Sequence, residues 1–306
     1  MRWLAASLFA LALSTAPAFA EPAMWKVSDA DSSIHLFGSI HLLTRPIEWR
    51  TPEFDRQLKA ADHVYFEIVF DEATYATIGR MTMVEGRLRD GRKLWDLMTP
   101  EQAATLRDAI AGAQLDPAAF DYMQPWMAEV MLSGGMIQGA QVGVELQVDP
   151  EIEPERKRGL ETVEEQLGFF AAVPPADQIA NLLATAQQLA ATDVREMIED
   201  LTDAWASGDT KALDRLNHTE LGGGDPRFDT LITQRNRRWI TELEKLLTEN
   251  DQSLVIVGAG HLVGDGGVPE LLKQAGYTVE LVSKPPAPAE PPASAGMPDP
   301  RAPKAR

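Results

Sequence analysis

The chain contains one short hydrophobic pattern twice, near its beginning and near its end. In each copy four mostly apolar residues precede Gly-x-x-His, and two apolar residues follow the histidine, over residues 34–43 and 254–263. A short apolar run that ends at a glycine is typical of a buried strand followed by a turn. Glycine permits a positive φ, and so a sharp turn, or a close approach of the backbone to a ligand. Each copy therefore predicts a buried strand that presents a histidine, His41 or His261, at its carboxyl end.

The residues after each copy predict a helix and then a second strand. Thr51 is a helix cap and Pro52 suits the first helical position, while Gly276 marks the end of the later helix. The predicted elements are a helix over 52–61 and a strand over 63–70 in the first half, and a helix over about 268–275 and a strand over 277–282 in the second. Strand, helix and strand in that order form a βαβ unit. The pattern therefore predicts an α/β fold whose central mixed sheet is built from two βαβ-type halves.

Helical periodicity dominates the middle of the chain, and a hairpin is predicted before it, over 24–29 and 33–37. Predicted helices begin at the Thr99-Pro100 pair, at Pro125 and at Thr162, and continue over 176–189, 193–206 and 210–216. The methionines of the second of these, Met127, Met131 and Met136, are interpreted as core residues. A glycine-rich loop over 222–226 precedes a long helix over about 228–248. We expect a largely helical insertion or cap on the sheet over about 99–217.

Both ends of the chain differ from the region between them. Arg2, the apolar run 4–13 and the Ala18-Phe19-Ala20 exit have the pattern of a secretory signal peptide over 1–20. The run is shorter than the ~20 residues that span a bilayer. Residues 284–306 are rich in proline and alanine and are predicted to be a disordered tail. We therefore expect one domain over 21–283, secreted across the inner membrane into the periplasm, with no stable membrane insertion after signal cleavage.

The charge of the chain limits its partners. The formal net charge is −18, and removal of Arg2 with the signal peptide makes it −19. This acidity argues against binding to nucleic acid or to anionic membranes and is compatible with cations, although acidity is more often a solubility feature. The chain has no cysteine, so the hydrophobic core has to hold the fold together without disulfides.

The repeated histidines suggest a metal site. One Gly-x-x-His motif alone is more often structural, but two of the five histidines occupy equivalent places in a repeated unit. In open α/β sheets ligands bind at the carboxyl ends of the strands, where both histidines are expected. Glu67 lies in an apolar strand, where a carboxylate either faces solvent or needs a cation. Two imidazoles and a carboxylate suit a divalent transition metal, which activates water and polarises a carbonyl for hydrolysis.

Three further side chains are candidates for the same site. Glu161 is predicted as a metal ligand or general base, with a helix-capping or solvated role as the alternative. Arg235 and Asn236 lie on a predicted helix, where either one is suited to stabilise an oxyanion or to bind a substrate carboxylate. The alternative for them is a salt-bridged helix face. His35, His63 and His218 are interpreted as structural, because no repeat places them.

These motifs, in this order, resemble the TraB/GumN family, which includes the animal Tiki proteins. The resemblance covers about 25–283 and is carried by the following segments: Gly38-Ser39-Ile40-His41, Glu67, Gly159-Leu160-Glu161-Thr162 with Glu165-Gln166, Arg235-Asn236 and Gly258-Ala259-Gly260-His261-Leu262. It implies an α/β fold related to the erythromycin-esterase and ChaN-like proteins. The Tiki members imply a metal-dependent peptidase in which His41, His261 and Glu67 hold the metal and Arg235 and Asn236 line the site. The segment 148–158 is shorter and more acidic than is usual in the family.

Three functions are compatible with these residues. The leading hypothesis is a periplasmic metal-dependent hydrolase, most simply a peptidase, that acts on a peptide or another carbonyl-containing substrate. The second is a non-catalytic periplasmic binding or accessory protein for a metal, haem or polysaccharide. The third is the hydrolysis of a non-peptide ester. The sequence does not separate them, because metal-bound water attacks several kinds of carbonyl.

Overall fold

The computed structural model describes residues 20–135, 141–219, 229–249 and 252–282. The predicted signal peptide up to residue 19, the loop 222–226 and the tail 284–306 lie outside these residues, so those predictions stay predictions. The strands are β1 (Met24–Ser28), β2 (Ser33–Ser39), β3 (Leu42–Leu43), β4 (His63–Phe66), β5 (Gln141–Val142), β6 (Lys157–Gly159), β7 (Ser253–Gly258) and β8 (Thr278–Leu281).

Eleven α-helices lie within the described residues. They are α1 (Pro52–Ala60), α2 (Glu72–Arg80), α3 (Pro100–Gly112), α4 (Pro125–Gly135), α5 (Val144–Val148), α6 (Val163–Ala171), α7 (Pro175–Ala191), α8 (Val194–Ala206), α9 (Thr210–Thr219), α10 (Gln234–Glu249) and α11 (Val268–Gln274). A π-helical turn, Met81–Glu85, continues α2, and another, Asp229–Thr233, leads into α10. No helix of the described ranges is long and apolar enough to cross a bilayer.

Six strands form the main sheet in the order β6-β4-β7-β2-β1-β8. Strand β1 runs antiparallel to both of its neighbours, whereas the pairs β6–β4, β4–β7 and β7–β2 are parallel. The predicted α/β fold with a mixed sheet is therefore confirmed. The strand of the second histidine motif, β7, lies between β2 and β4, so the two halves interleave and the two histidine motifs are neighbours.

Alternation along the strands places hydrophobic side chains on both faces of the sheet. On one face Phe37 packs against an aromatic cluster of Trp49, Phe54 and Trp205. On the other face, α10 and α11 cover a second cluster that includes Val255 and Val257. Burial on both faces explains why β7 is a continuous apolar run rather than an alternating pattern.

The middle helices form a third hydrophobic cluster away from the sheet. It joins α3, α4 and α7 through side chains such as Leu106, Leu132 and Leu182, all of which are fully buried. Met127 on α4 is buried, and Met131 packs against this third cluster, as expected for core residues. Met136 lies outside the described residues.

Helix starts were predicted more accurately than strand ends. Thr51 accepts a hydrogen bond from the Phe54 N–H at the start of α1, and Thr99 and Thr162 form capping boxes at the starts of α3 and α6. Strand β4 ends at Phe66, four residues before the predicted end, so Glu67 follows the strand instead of lying within it. The chain leaves the sheet there and starts the next helix. The Thr74 hydroxyl donates to the Val69 carbonyl, and Asp71 caps α2.

Of the two roles predicted for the motif glycines, a positive φ or a close approach of the backbone, the structure rules out the positive φ. Neither Gly38 nor Gly258 has a positive φ, and β2 continues past Gly38 to Ser39. Gly38 is needed for close packing instead, because a Cβ there would lie 3.2 Å from the Cα of Ala259. The backbone at both glycines is one that any residue can adopt, and the chain continues as strand after Gly38 but as a short 3-10 turn after Gly258. The glycines allow the neighbouring strand ends to approach each other.

Candidate functional site

Three predicted side chains meet at the carboxyl end of the parallel strands. His41 follows β2, Glu67 follows β4, and His261 lies in the turn that follows β7 between them. Glu67 Oε1 is 3.9 Å from His41 Nε2 and 3.8 Å from His261 Nε2. The structure therefore brings both histidines and the carboxylate to one edge of the sheet, although 220 positions separate the histidines in the chain.

Gly258 leaves the space that these three side chains share. A Cβ at this position would lie 3.2 Å from Glu67 Oε1, 3.4 Å from His41 Nε2 and 3.6 Å from His261 Cδ2. The Gly258 N–H also donates to Glu67 Oε1 at 2.9 Å. The motif glycine thus serves the site in two ways: it keeps the centre open and it orients the carboxylate.

His261 is buried and rigidly held. Its Nδ1 is 2.6 Å from Asn236 Oδ1, and because an amide oxygen only accepts, Nδ1 carries the proton and the lone pair is on Nε2, which lies 3.3 Å from Arg235 Nη1. The Trp239 ring packs on the imidazole at 4.5 Å between centroids. Burial, together with the nearby charge of Arg235, lowers the pKa of His261 to about 3 despite the opposing charge of Glu67. His261 therefore presents a neutral Nε2 to the site.

His41 has a different environment from its counterpart. Its side chain is 63% exposed, and its Nδ1 lies 2.8 Å from Glu145 Oε1. Partial enclosure disfavours the charged ring, but the hydrogen bond to Glu145 and the charges of Glu145 and Glu67 raise the pKa of His41 to about 9. The two equivalent motifs thus supply one buried neutral imidazole and one exposed imidazole that favours the cation.

Glu67 is the centre of the hydrogen-bond network. Arg235 Nη2 donates to its Oε2 at 2.6 Å, and Gln166 Nε2 donates to the same oxygen at 3.1 Å. Burial opposes ionisation, but the two neighbouring imidazoles, His261 and His41, together with the charge of Arg235 and the Gly258 N–H, lower the pKa of Glu67 to about 2. Oε2 is therefore held by the protein, while Oε1 faces both histidines.

Arg235 and Asn236 are buried supports of this site. Arg235 binds Glu67 with Nη2 and Glu161 with Nε, the latter at 2.8 Å. Asn236 uses its Oδ1 for His261 and its Nδ2 for the carbonyls of His261 and Gly266. The side chains of Arg235 and Asn236 were candidates to stabilise an oxyanion or to bind a substrate carboxylate. In this structure they form hydrogen bonds with protein atoms.

The Glu161 carboxylate is linked to the Glu67 carboxylate through Arg235, which binds both. Burial raises the pKa of Glu161, although the charge and hydrogen bond of Arg235 oppose this shift. Its partner is Arg235, which separates it from Glu67, so the geometry places it as an anchor for the guanidinium. An open groove of about 460 Å³ runs past Glu161 between the turns that start α2 and α6.

The chemistry of the donor set fits a divalent transition metal. Each imidazole has its Nδ1 bound to another side chain and its Nε2 directed toward Glu67, which is the arrangement that orients metal-binding histidines. No three His, Cys, Asp or Glu side chains of the described ranges are already spaced as a metal site. Donors around a tetrahedral zinc lie roughly 3.4 Å apart, whereas Glu67 Oε1 lies 3.9 Å from His41 Nε2 and 3.8 Å from His261 Nε2, so metal binding would require the carboxylate and both imidazoles to draw closer.

Sequence analysis assigned no role to three residues that complete the site. Glu145 holds His41, Ser39 donates to Glu145, and Gln166 holds Glu67. Ser39 lies inside the first histidine motif and Gln166 lies five positions after Glu161, so their closeness to these candidates in the sequence could have identified both. Glu145 lies 104 positions after His41 and no repeat or motif connects the two, so pairing them requires the fold.

Comparison with known proteins places the chain in a family. The chain matches the model of the TraB/PrgY/gumN family over residues 23–281. It is 22% identical over 247 residues to "Uncharacterized protein YbaP" of Escherichia coli (strain K12), which covers 78% of this chain and 87% of that protein. The Shigella flexneri protein of the same name is 23% identical over the same length and coverage. No solved structure matches the chain. Since the family match covers most of the chain, the protein belongs to the TraB/PrgY/gumN family.

Proposed function

We propose that the protein is a metal-dependent hydrolase whose metal is held by His41, His261 and Glu67. The observation that carries this proposal is the convergence of the two Nε2 atoms on Glu67 Oε1, at 3.9 and 3.8 Å. Three protein donors with a further position open to solvent are the usual composition of a catalytic zinc site. A divalent metal bound there supplies an activated water and polarises a substrate carbonyl.

The protein residues have separate tasks in this proposal. Arg235 and Gln166 donate hydrogen bonds to Glu67 Oε2, so the carboxylate is already oriented with Oε1 toward the two histidines before a metal binds. Asn236 keeps the proton of His261 on Nδ1, so the lone pair of Nε2 is the one that would bind the metal. His41 is the exposed member of the set, so its side of the site is the entrance for substrate.

We propose a peptide as the substrate, with secretion to the periplasm as the location. The peptide is what the resemblance to the Tiki members implies. The location rests on the signal-peptide pattern of residues 1–20. Another ester or amide carbonyl is chemically equivalent at the site, because an activated water attacks either one.

A second candidate is hydrolysis without a metal. The observation that favours it is Arg235 Nη1, which lies 3.3 Å from His261 Nε2 and so competes for the lone pair that a metal needs. In that case His41, held by Glu145, acts as the acid–base group and Arg235 supplies the positive charge. Non-peptide esters suit this chemistry, because they are easier to cleave than amides.

The test combines metal analysis with a cleavage assay. Purified protein is dialysed against Zn²⁺, Mn²⁺ or Co²⁺, its bound metal is quantified, and cleavage of a mixed peptide library is measured with and without chelator. We expect one metal per chain and chelator-sensitive cleavage. His41→Ala and His261→Ala should each abolish most of the binding, since three ligands leave no spare donor.

His63→Ala is the matched control, because His63 starts strand β4 at the opposite edge of the sheet from Glu67. This variant should bind metal and cleave peptide like the parent protein. Cleavage of esters that resists chelator and survives without metal would favour the metal-free candidate. Stoichiometric metal without any hydrolysis would favour a binding protein over both candidates.

A further inference from the structure

We infer that Glu145 is the positioning residue that fixes the His41 ring with its Nε2 toward Glu67. Glu145 Oε1 lies 2.8 Å from His41 Nδ1, on the side of the ring opposite to the site. The inference rests on the proposed function to the extent that it assumes His41 belongs to the working site. It assigns to Glu145 a role that neither the repeated motif nor the family match provides.

The Glu145 carboxylate is itself held in place. The Ser39 hydroxyl donates to the same oxygen that binds His41. Ser39 is 1% exposed, and the Glu145 side chain is 18% exposed beside a histidine that is 63% exposed. An exposed imidazole has many rotamers available. The partly buried Glu145 carboxylate, which Ser39 holds in place, therefore restricts the His41 ring more than solvent would.

The backbone around the pair is held by hydrogen bonds. Strands β3 and β5 pair directly after His41 and before Glu145. The Gly143 N–H donates to the His41 carbonyl at 3.0 Å, and the Val144 N–H donates to the Ile40 carbonyl at 3.1 Å. A Cβ at Gly143 would collide with the Ile40 and His41 carbonyl groups, so only glycine allows this approach. The first turn of α5 is thus docked on the histidine motif.

The second motif shows why a carboxylate is used here. At the place of Ser39 the second motif has Ala259, and the Nδ1 of its histidine is bound by the Asn236 amide instead. The buried His261 is already confined by the Trp239 ring, so a neutral amide is sufficient. The exposed His41 lacks this confinement, and a charged acceptor forms the stronger hydrogen bond. The two histidines are therefore positioned by different means.

The test uses Glu145→Ala, Glu145→Gln and Ser39→Ala, with Glu153→Ala as a matched control. Glu153 is an exposed glutamate eight positions along the same segment. With the histidines labelled with ¹⁵N, NMR on metal-free protein reports the His41 ring directly. We expect a protected Nδ1 proton in the parent protein, its loss in Glu145→Ala, and partial recovery in Glu145→Gln, which keeps an acceptor oxygen.

Zinc affinity is the second readout, measured by competition with a chelator. Glu145→Ala should weaken binding by about 10- to 100-fold, the usual loss when an outer partner of a metal-binding histidine is removed, and Glu145→Gln by less. Glu153→Ala should leave both readouts unchanged. If the parent protein binds no metal, the proposed function fails while the NMR readout still decides the role of Glu145.

Two results would overturn the inference. One is an unchanged His41 Nδ1 signal in folded Glu145→Ala protein or, if that variant does not fold, in both the Glu145→Gln and the Ser39→Ala protein. The other is equal loss of the signal in Glu153→Ala. If Glu145→Ala does not fold, the decision falls to Glu145→Gln and Ser39→Ala, which conserve the shape of the site.

Discussion

The strongest test of the geometry is the substitution Gly258→Ala, which adds one methyl group at the centre of the site. The new Cβ would lie 3.2 Å from Glu67 Oε1 and 3.4 Å from His41 Nε2. These contacts are a few tenths of an ångström tighter than ordinary ones, and they involve side-chain atoms only. We therefore expect a large functional effect with a small effect on stability.

The magnitudes follow from the local geometry. Gly258 has φ −50° and ψ 134°, which alanine adopts without strain, so replacing glycine stabilises through the unfolded chain by about 0.4–1 kcal/mol. Crowding in a packed interior costs about 1–3 kcal/mol, and at the low end of that range the two effects nearly cancel. We expect the free energy of unfolding to change by about 1 kcal/mol or less. Displaced donor atoms should lower metal affinity and kcat by about tenfold or more.

The assays are urea unfolding, metal titration and peptide cleavage, with two other glycines for comparison. Gly168→Ala in α6 meets no atom within 4 Å and should leave metal binding and cleavage unchanged. Gly38→Ala meets the Cα of Ala259 at 3.2 Å and should cost more stability than Gly258→Ala, because backbone cannot yield as a side chain does. Gly258→Ala protein that binds metal and cleaves peptide like the parent would refute the reasoning.

Two further predictions concern the side chains of His35 and Asn236. Burial and the charge of Lys26 lower the pKa of His35 to about 4, so His35 is neutral in the folded protein and takes up a proton on unfolding as pH falls below 6.5. Stability should therefore drop more between pH 7 and pH 5 in the parent than in His35→Gln, by about 1 kcal/mol or less because His35 is only partly buried and solvent screens the effect. Equal pH dependence of the two proteins in urea unfolding would contradict this. Asn236→Ala leaves His261 Nδ1 and the Gly266 carbonyl, which Asn236 binds at 2.8 Å, without their partner, and should cost about 2–3 kcal/mol in urea unfolding. A loss below about 0.5 kcal/mol would show that water replaces the amide.

The repeated pattern was informative because it combines local and global signals. Apolar runs predicted β2 and β7, and equivalent units in one sheet place equivalent side chains at one edge. This reasoning placed His41 and His261 together without any contact information. It also singled out Glu67, since a carboxylate predicted within an apolar strand needs a partner, although the strand ends one residue before Glu67.

The support for the site was less accessible from the sequence. The sequence left a substrate contact and a salt-bridged helix face open for Arg235, and only the fold shows that its partners are two carboxylates, Glu67 and Glu161. The link from Glu145 to His41 depends on how α5 docks on the first motif, which no local periodicity encodes. The role of the motif glycines stayed open between a positive φ and a close approach, because the choice depends on the neighbouring strand.

The central claim is that His41, His261 and Glu67 bind one divalent metal. Crystals grown with Zn²⁺ or Mn²⁺, with diffraction recorded on both sides of the metal absorption edge, test it most directly. The account predicts a single strong anomalous peak within about 2.0–2.3 Å of His41 Nε2, His261 Nε2 and a Glu67 oxygen. A peak elsewhere on the molecule, or no peak at saturating metal with the three side chains arranged as described, would contradict it.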